Sequence, residues 1–220
     1  MDAVKINTLP IILSICIVIV FELVARKLSL PPLMATGLIR IIDILMIFGV
    51  FHLSSNGADA LGLTSRKIRH GFKKGVLWSV IFGLISGGIG LALFLIGINP
   101  MQLIHVQIPK EMSEIVLFFI VGGIISPIAE EMFFRGVIYG YLRNFLFAPF
   151  GKWGIFFAVL FSTLLFVTAH TGTSGIPLPQ IAGGFLFCLS YEVEKSLITP
   201  IIIHSFGNMA LFALSLYMKV

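Results

Sequence analysis

The sequence carries very little charge for its length. Only 11% of its 220 residues are Asp, Glu, Lys or Arg, while 58% are hydrophobic and the mean hydropathy is +1.06. Too few polar side chains are present to cover the outside of a water-soluble globule. This composition excludes a soluble enzyme and predicts an integral membrane protein, which we expect in the inner membrane of a prokaryotic cell.

Cysteine is equally scarce. The two cysteines, Cys16 and Cys188, lie in separate apolar runs and follow no spacing pattern. This excludes a disulfide framework and gives no support to a thiol nucleophile, so we assign neither residue a role. The HExxH signature of zinc proteases is missing as well.

Long apolar runs dominate what is present, and they lack the alternation of membrane β-strands. The sequence therefore predicts an all-α fold, a polytopic transmembrane bundle of about 7 to 8 helices. Seven crossings are expected, and a break at Pro127 would add an eighth helix. The predicted crossings are residues 9–25, 35–53, 76–97, 114–147, 153–170, 180–191 and 196–218.

No internal repeat or soluble segment divides the chain, so we expect one membrane domain over residues 1–220. Its N-terminal helices would occupy residues 1–110, and a second part residues 111–220, which contains the polar motifs described below. Much of the net charge of +5 comes from SRKIRHGFKK at residues 65–74. Because this segment lies between two predicted spans, it indicates a cytoplasmic loop or a contact with anionic membrane lipids, and we expect no nucleic-acid partner.

The basic segment also predicts the orientation. If residues 65–74 face the cytoplasm, seven alternating crossings place Arg143, Lys152 and Lys195 on the same side. The N-terminus is then cytoplasmic and the C-terminus lies outside.

The most informative polar residues are Glu130, Glu131 and Arg135, which interrupt an otherwise apolar stretch. A charged side chain at the bilayer centre costs about 2.5 to 3.5 kcal/mol on insertion scales, so such a cluster indicates function. Glu131 and Arg135 are spaced i,i+4 and should pair. Glu130 projects about 100° away around the helix and remains available as a general base or acid.

Other polar residues occur at helical spacing in further apolar runs. His170 lies one turn beyond Phe166, and His204 lies one turn before Asn208, so these last two could offer two donors to an oxyanion. Taken singly, each is more often an interhelical hydrogen-bond partner than a catalyst. Their combination on three helices favours a functional site. We interpret the i,i+3 pair Arg40 and Asp43 as structural.

The ordered motifs EExxxR, FxxxH and HxxxN, at residues 130–135, 166–170 and 204–208, resemble those of the CPBP intramembrane proteases. That family includes type II CAAX prenyl proteases and Abi or bacteriocin-processing proteins. The resemblance spans residues 115–214. It implies a glutamate-dependent endopeptidase that hydrolyses a peptide bond in a membrane-associated protein or peptide, whose cleavage motif could be C-terminal or lipidated.

Carried onto this chain, the resemblance implies a role for each motif residue. Glu130 and His170 would activate water, while His204 and Asn208 would hold the oxyanion. Glu131 and Arg135 would hold Glu130 in place, and Phe166 would support the site. No cofactor is expected.

Three alternatives remain open from the sequence. Glu130, His170 and His204 could bind zinc, since three protein ligands plus water form a normal catalytic site; we rank this second because Asn208 is an uncommon zinc ligand. A non-catalytic scaffold or immunity protein would not need both histidines and the asparagine. A proton-coupled transporter is disfavoured because no paired repeats are visible.

Overall fold

A computed structural model describes residues 8–54, 57–100, 106–170 and 177–218. These ranges form seven main helices and contain no β-strand, which confirms the predicted all-α polytopic bundle. A single 3₁₀ turn, Ala58–Leu61, precedes the third helix. The helices are α1 (Thr8–Ala25), α2 (Pro32–Leu53), α3 (Ser65–Leu95), α4 (Met112–Phe150), α5 (Lys152–Ala169), α6 (Leu178–Glu194) and α7 (Ile198–Met218).

Six of these helices have the length and apolar composition needed to cross a membrane. The exception is α6, which has 17 residues and ends in the acidic sequence Glu192 to Glu194. The count therefore differs from the seven crossings that the apolar runs predict. With six crossings, the N-terminal end of α1 and the C-terminal end of α7 would lie on the same side of the membrane. The predicted placement of the C-terminus outside thus depends on α6 crossing as well, and the orientation stays a prediction.

The expected break at Pro127 does not occur, because α4 continues for 39 residues through the proline. Two wider, π-helical turns, Val121–Ile125 and Met132–Tyr139, lie on either side of it. A proline lacks the N–H for an i→i−4 bond, and its ring clashes with the carbonyl of that earlier residue. The wide turn before Pro127 relieves this conflict locally, so the helix continues.

Helix α4 forms the centre of the bundle. Helix α2 runs along it: a Cβ on Gly37 would lie 2.9 Å from a Val121 methyl group. Further along, Ile47 of α2 joins Met132 of α4 in the larger buried cluster. On the other side of α4, aromatic rings from α4, α5 and α6 pack with Ile203 of α7 in a second cluster, Phe134, Phe166, Phe187 and Ile203.

Helix α3 contacts α7 closely, but at a different place from the one its sequence suggests. Its glycines Gly83, Gly87 and Gly90 predict close helix approach. No described atom lies within 4 Å of a Cβ built on Gly83 or Gly87, and one built on Gly90 would lie 4.0 Å from Cγ of Pro100. The tight contact is at Gly71 and Gly75, in the first half of the helix. A Cβ on Gly75 would lie 2.7 Å from Cβ of Ile202. The close packing of α3 against α7 therefore requires glycine at positions 71 and 75, at the basic end of α3.

Ion pairs gather at this basic end of the bundle. Arg143 of α4 and Lys195 both bind Glu192 at the end of α6, with N–O distances of 2.7 and 2.6 Å. His70 of α3 lies 2.8 Å from Glu194. Arg143 and Lys195 thus lie at the same end as residues 65–74, as the charge distribution predicts.

We predict that Gly75→Ala destabilises the protein. The added methyl group meets Ile202 and the backbone carbonyl of Thr199, and overpacking of this kind typically costs about 1–3 kcal/mol. Gly83→Ala is the matched control, because its methyl group meets nothing within 4 Å and alanine is the better helix former. Thermal unfolding in detergent should show a lower unfolding temperature for Gly75→Ala alone. Equal unfolding temperatures for the two variants would contradict the packing described here.

Candidate active site

The two adjacent glutamates of α4 point to different surroundings. The side chain of Glu131 is completely buried, and its Oε1 accepts a hydrogen bond of 3.0 Å from Arg135 one turn later. The predicted i,i+4 ion pair is therefore present. The side chain of Glu130 is 14% exposed and points toward His170 and His204. The separation that helical geometry predicts for the two carboxylates is thus observed.

Aromatic rings surround the Arg135 guanidinium. Its central carbon lies 4.4 Å from the ring centre of Phe166 and 5.0 Å from that of Phe187. Its Nη2 also donates to the carbonyl of Gly184 over 3.4 Å. Cation–π contacts and a carbonyl acceptor compensate part of the lost hydration of this charge. Phe166 therefore supports the site by packing its ring against the guanidinium of Arg135.

His170 lies immediately after the last residue of α5, with its ring 4.5 Å from that of Phe166. Its Nδ1 is 2.7 Å from the carbonyl oxygen of Phe166. A carbonyl can only accept, so Nδ1 carries the hydrogen. The other ring nitrogen, Nε2, lies 3.5 Å from Oε2 of Glu130. The Phe166 carbonyl thus fixes the ring of His170 with one nitrogen directed at Glu130.

His204 connects α7 to both glutamates. Its Nδ1 lies 2.8 Å from Oε1 of Glu131, and its Nε2 lies 3.8 Å from Oε2 of Glu130. Phe187 stacks on its ring with 4.6 Å between the ring centres. The sequence did not reveal the bond to Glu131, because 73 residues separate the partners and no spacing rule links them. Glu131 therefore contacts His204 directly, and its implied role of holding Glu130 in place stays a prediction.

Asn208 is placed one turn after His204, and it contacts a different part of α4. Its Nδ2 donates a 2.8 Å hydrogen bond to the carbonyl of Gly122, inside the first wide turn. An amide nitrogen has two hydrogens, so one remains for another acceptor. The sequence missed this contact, because nothing in it reveals the wide turn.

The Arg40 and Asp43 pair of α2 forms as its spacing predicts. Their side chains form the expected bond at 3.1 Å, and Glu22 of α1 adds a second contact to Arg40 at 3.6 Å. Arg40 thus links α1 and α2, which agrees with the structural role that its spacing from Asp43 predicts.

The zinc alternative depends on how Glu130, His170 and His204 are arranged. Among the described residues, no set of three His, Cys, Asp or Glu side chains has an arrangement suited to a metal ion. The three candidate zinc ligands, Glu130, His170 and His204, do lie near one another. One nitrogen of each histidine already bonds to protein, so each ring has one nitrogen left for other chemistry.

The fold and this cluster define a polytopic membrane protein with a buried Glu/His site. Residues 112–210 match the family model described as type II CAAX prenyl endopeptidase Rce1-like, and all the motif residues lie inside that match. The resemblance drawn from the motifs is therefore confirmed over this part of the chain.

Three relatives are each similar to part of the chain. The putative membrane peptidase YdiL of Bacillus subtilis (strain 168) is 30% identical over 138 residues, which are 60% of this chain and 53% of that protein. The membrane-embedded CAAX protease MroQ of Staphylococcus aureus (strain USA300) is 40% identical over 96 residues, 43% of this chain and 36% of MroQ. The UPF0177 protein YxdF of Lactococcus lactis subsp. lactis (strain IL1403) is 32% identical over 102 residues, 44% of this chain and 52% of YxdF.

The chain thus spans about half the length of two of these relatives and about a third of MroQ. No solved structure matches the chain. The family match covers the part of the chain that carries the Glu/His cluster.

We predict that Glu131→Gln and Arg135→Gln each destabilise the fold strongly. Removing one partner of a fully buried pair leaves the other charge uncompensated, which typically costs about 3–5 kcal/mol. The double variant should lose less than the sum of the two, because no uncompensated charge remains. A double-mutant cycle measured by thermal unfolding tests this.

Lys67→Gln provides the control for that cycle, since its ion pair with Asp59 is exposed and such pairs contribute about 0–1 kcal/mol. Strictly additive losses for Glu131 and Arg135 would show that the two side chains do not interact.

Proposed function

We propose that this protein is an intramembrane endopeptidase in which Glu130 is the general base. The observation that carries the proposal is the approach of Oε2 of Glu130 to two imidazole nitrogens, 3.5 Å from His170 and 3.8 Å from His204. The match of residues 112–210 to an endopeptidase family supports the same reaction class. The relative MroQ, a membrane-embedded CAAX protease, agrees with it.

The first chemical step is the activation of water by Glu130 and His170. An ionised Glu130 accepts hydrogen bonds, and neutral His170 also accepts at Nε2, because its hydrogen is on Nδ1. Two acceptors side by side suit a water molecule that donates to them. As the water oxygen bonds to the substrate carbonyl carbon, its proton passes to Glu130. The same proton is later donated to the leaving amide nitrogen when the C–N bond breaks.

The second step is the stabilisation of the tetrahedral oxyanion by donors on α7. Nδ1–H of His204 is bound to the Glu131 carboxylate, so in the protonated ring Nε2–H is left to donate to the oxyanion. Asn208 contributes its second amide hydrogen, while the first remains on Gly122. Glu131 and Arg135 act through His204, since they fix the orientation of its ring.

The substrate in this proposal is a membrane-associated protein or peptide. Glu130 and His204 lie on helices of spanning length, so the scissile bond must enter the membrane-embedded bundle. A C-terminal or lipidated cleavage motif is one option, in keeping with the description of the family as prenyl endopeptidases.

We predict that Glu130→Gln, His170→Ala and His204→Ala each abolish peptide cleavage. Each change removes either a proton acceptor or a donor to the oxyanion. Glu114→Gln is the matched control, because Glu114 is an exposed carboxylate near the start of the same helix, and it should retain activity. Cleavage of a membrane-associated peptide in proteoliposomes is the measurement. Near wild-type turnover by any of the three variants would remove that residue from the mechanism.

We also predict that activity needs no metal ion. Metal analysis of active enzyme, combined with activity after exhaustive chelation, tests this prediction. One equivalent of zinc lost together with activity, and activity restored by zinc, would favour the alternative with Glu130, His170 and His204 as ligands.

For Asn208→Ala we predict that the rate of cleavage falls by about 10² to 10³, the usual loss for one oxyanion donor. A mild effect of this variant on the rate would instead favour the zinc alternative.

A further inference from the structure

A glycine beside the Glu/His cluster has no structural explanation within the described part of the chain. Gly207 lies in the middle of α7, three residues after His204 and directly before Asn208. Glycine is a poorer helix former than alanine, and inside a membrane helix it usually allows a close contact. No described atom lies within 4 Å of a Cβ built on Gly207, and this residue is not among the glycines with positive φ. Neither packing nor backbone conformation therefore requires glycine here.

The open space at Gly207 begins where the aromatic cluster ends. Ile203, one turn before Gly207, is 3% exposed and belongs to the cluster that contains Phe166 and Phe187. One turn later this packing has ended, since Gly207 is only partly buried and Ala210 is exposed. The cluster thus closes the space on the side of Ile203 and leaves the space beside Gly207 open.

His170 lies on the other side of this space, at the same level as Gly207. Helices α5 and α7 both begin at the basic end of the bundle, so they run in the same direction. The ring of Phe166 on α5 lies 5.9 Å from that of His204 on α7. His170 follows Phe166 by one turn, as Gly207 follows His204. A gap therefore separates Gly207 from His170 one turn beyond these two rings.

Gly49 of α2 shows that free space alone does not distinguish Gly207. It is also partly buried, and no described atom lies within 4 Å of a Cβ built on it. However, Gly49 is about 200° around its helix from Ile47, which packs in one cluster with Met132 of α4. Gly49 thus faces away from α4, whereas Gly207 adjoins His204.

We propose that Gly207 positions the substrate by letting its peptide backbone lie directly against α7. This inference rests on the proposed hydrolysis, in which the scissile bond lies between the base side, Glu130 and His170, and the oxyanion donors of α7. A backbone in the gap beside Gly207 lies between these two sides. Because glycine has no side chain, the backbone can approach α7 closely. The scissile carbonyl is then directed at His204 and Asn208.

Gly207→Ala tests the proposal by separating catalysis from stability. Its methyl group enters the space of the substrate, so kcat/KM should fall by about 10- to 100-fold, since a misplacement of about 1 Å can cost about 100-fold. The unfolding temperature in detergent should stay the same or rise, because alanine is the better helix former and no described atom opposes its methyl group. Gly49→Ala is the matched control, and it should keep the wild-type kcat/KM.

Cleavage of a prenylated CAAX peptide in proteoliposomes is the kinetic measurement. A wild-type kcat/KM for Gly207→Ala would overturn the proposal. A lower unfolding temperature for this variant would overturn it as well, because the protein's own atoms would then occupy the space. If the wild-type protein does not cleave the peptide, the proposed function fails instead.

A cross-linking experiment locates the bound peptide without any turnover. The variant Glu130→Gln/Gly207→Cys is prepared with Cys16→Ser, which removes the exposed native thiol. A prenylated CAAX peptide with an additional, unmodified cysteine next to its scissile bond should form a disulfide with position 207 under mild oxidation, and the same peptide without that cysteine should compete. Gly49→Cys in the same background is the control and should not cross-link. Equal cross-linking at both positions, or none at position 207, would overturn the proposal.

Discussion

The fully buried carboxylate of Glu131 is the interaction on which the rest of the site depends. It is bound by Arg135 on its own helix and by His204 of α7. An unpaired charge in this apolar interior would cost several kcal/mol, so the three groups must stay together. This fixes how α4 is rotated relative to α7. Glu130, the next residue along the helix, is then directed toward His170 instead of into lipid.

Two features of the surroundings maintain that arrangement. The rings of Phe134, Phe166 and Phe187 pack around Arg135 and keep the ion pair away from solvent. The wide turns of α4 lie on both sides of the glutamate pair, and Asn208 binds the carbonyl of Gly122 in the first of them. Wide helical turns are frequent at functional sites, because they re-aim side chains that a regular helix could not place. Here the two turns bracket the carboxylates that the proposed chemistry uses.

The basic end of the bundle and its interior use charge in different ways. At the basic end, Arg143 and Lys195 share Glu192 in pairs that are partly exposed to solvent. In the interior, the side chains of Glu131 and Arg135 are completely buried, so solvent cannot replace a lost partner and each contact matters more. A protein of this composition can place most of its few charges near the membrane surface at low cost, and it retains only a small set inside.

The sequence by itself determined the membrane environment, the helical fold and the residues of the candidate site, because apolar runs and misplaced charges are local properties of the chain. It also determined the Glu131–Arg135 pair, which follows from the helical repeat. The tertiary structure alone decided that α4 continues through Pro127, that α3 approaches α7 at Gly71 and Gly75, and that His204 binds Glu131 while Asn208 binds Gly122. The contacts among these features join residues far apart in the chain, so they depend on how helices rotate and pack against each other, which no local spacing encodes. The course of α4 through Pro127 depends on the wide turns beside the proline, which the sequence does not reveal either.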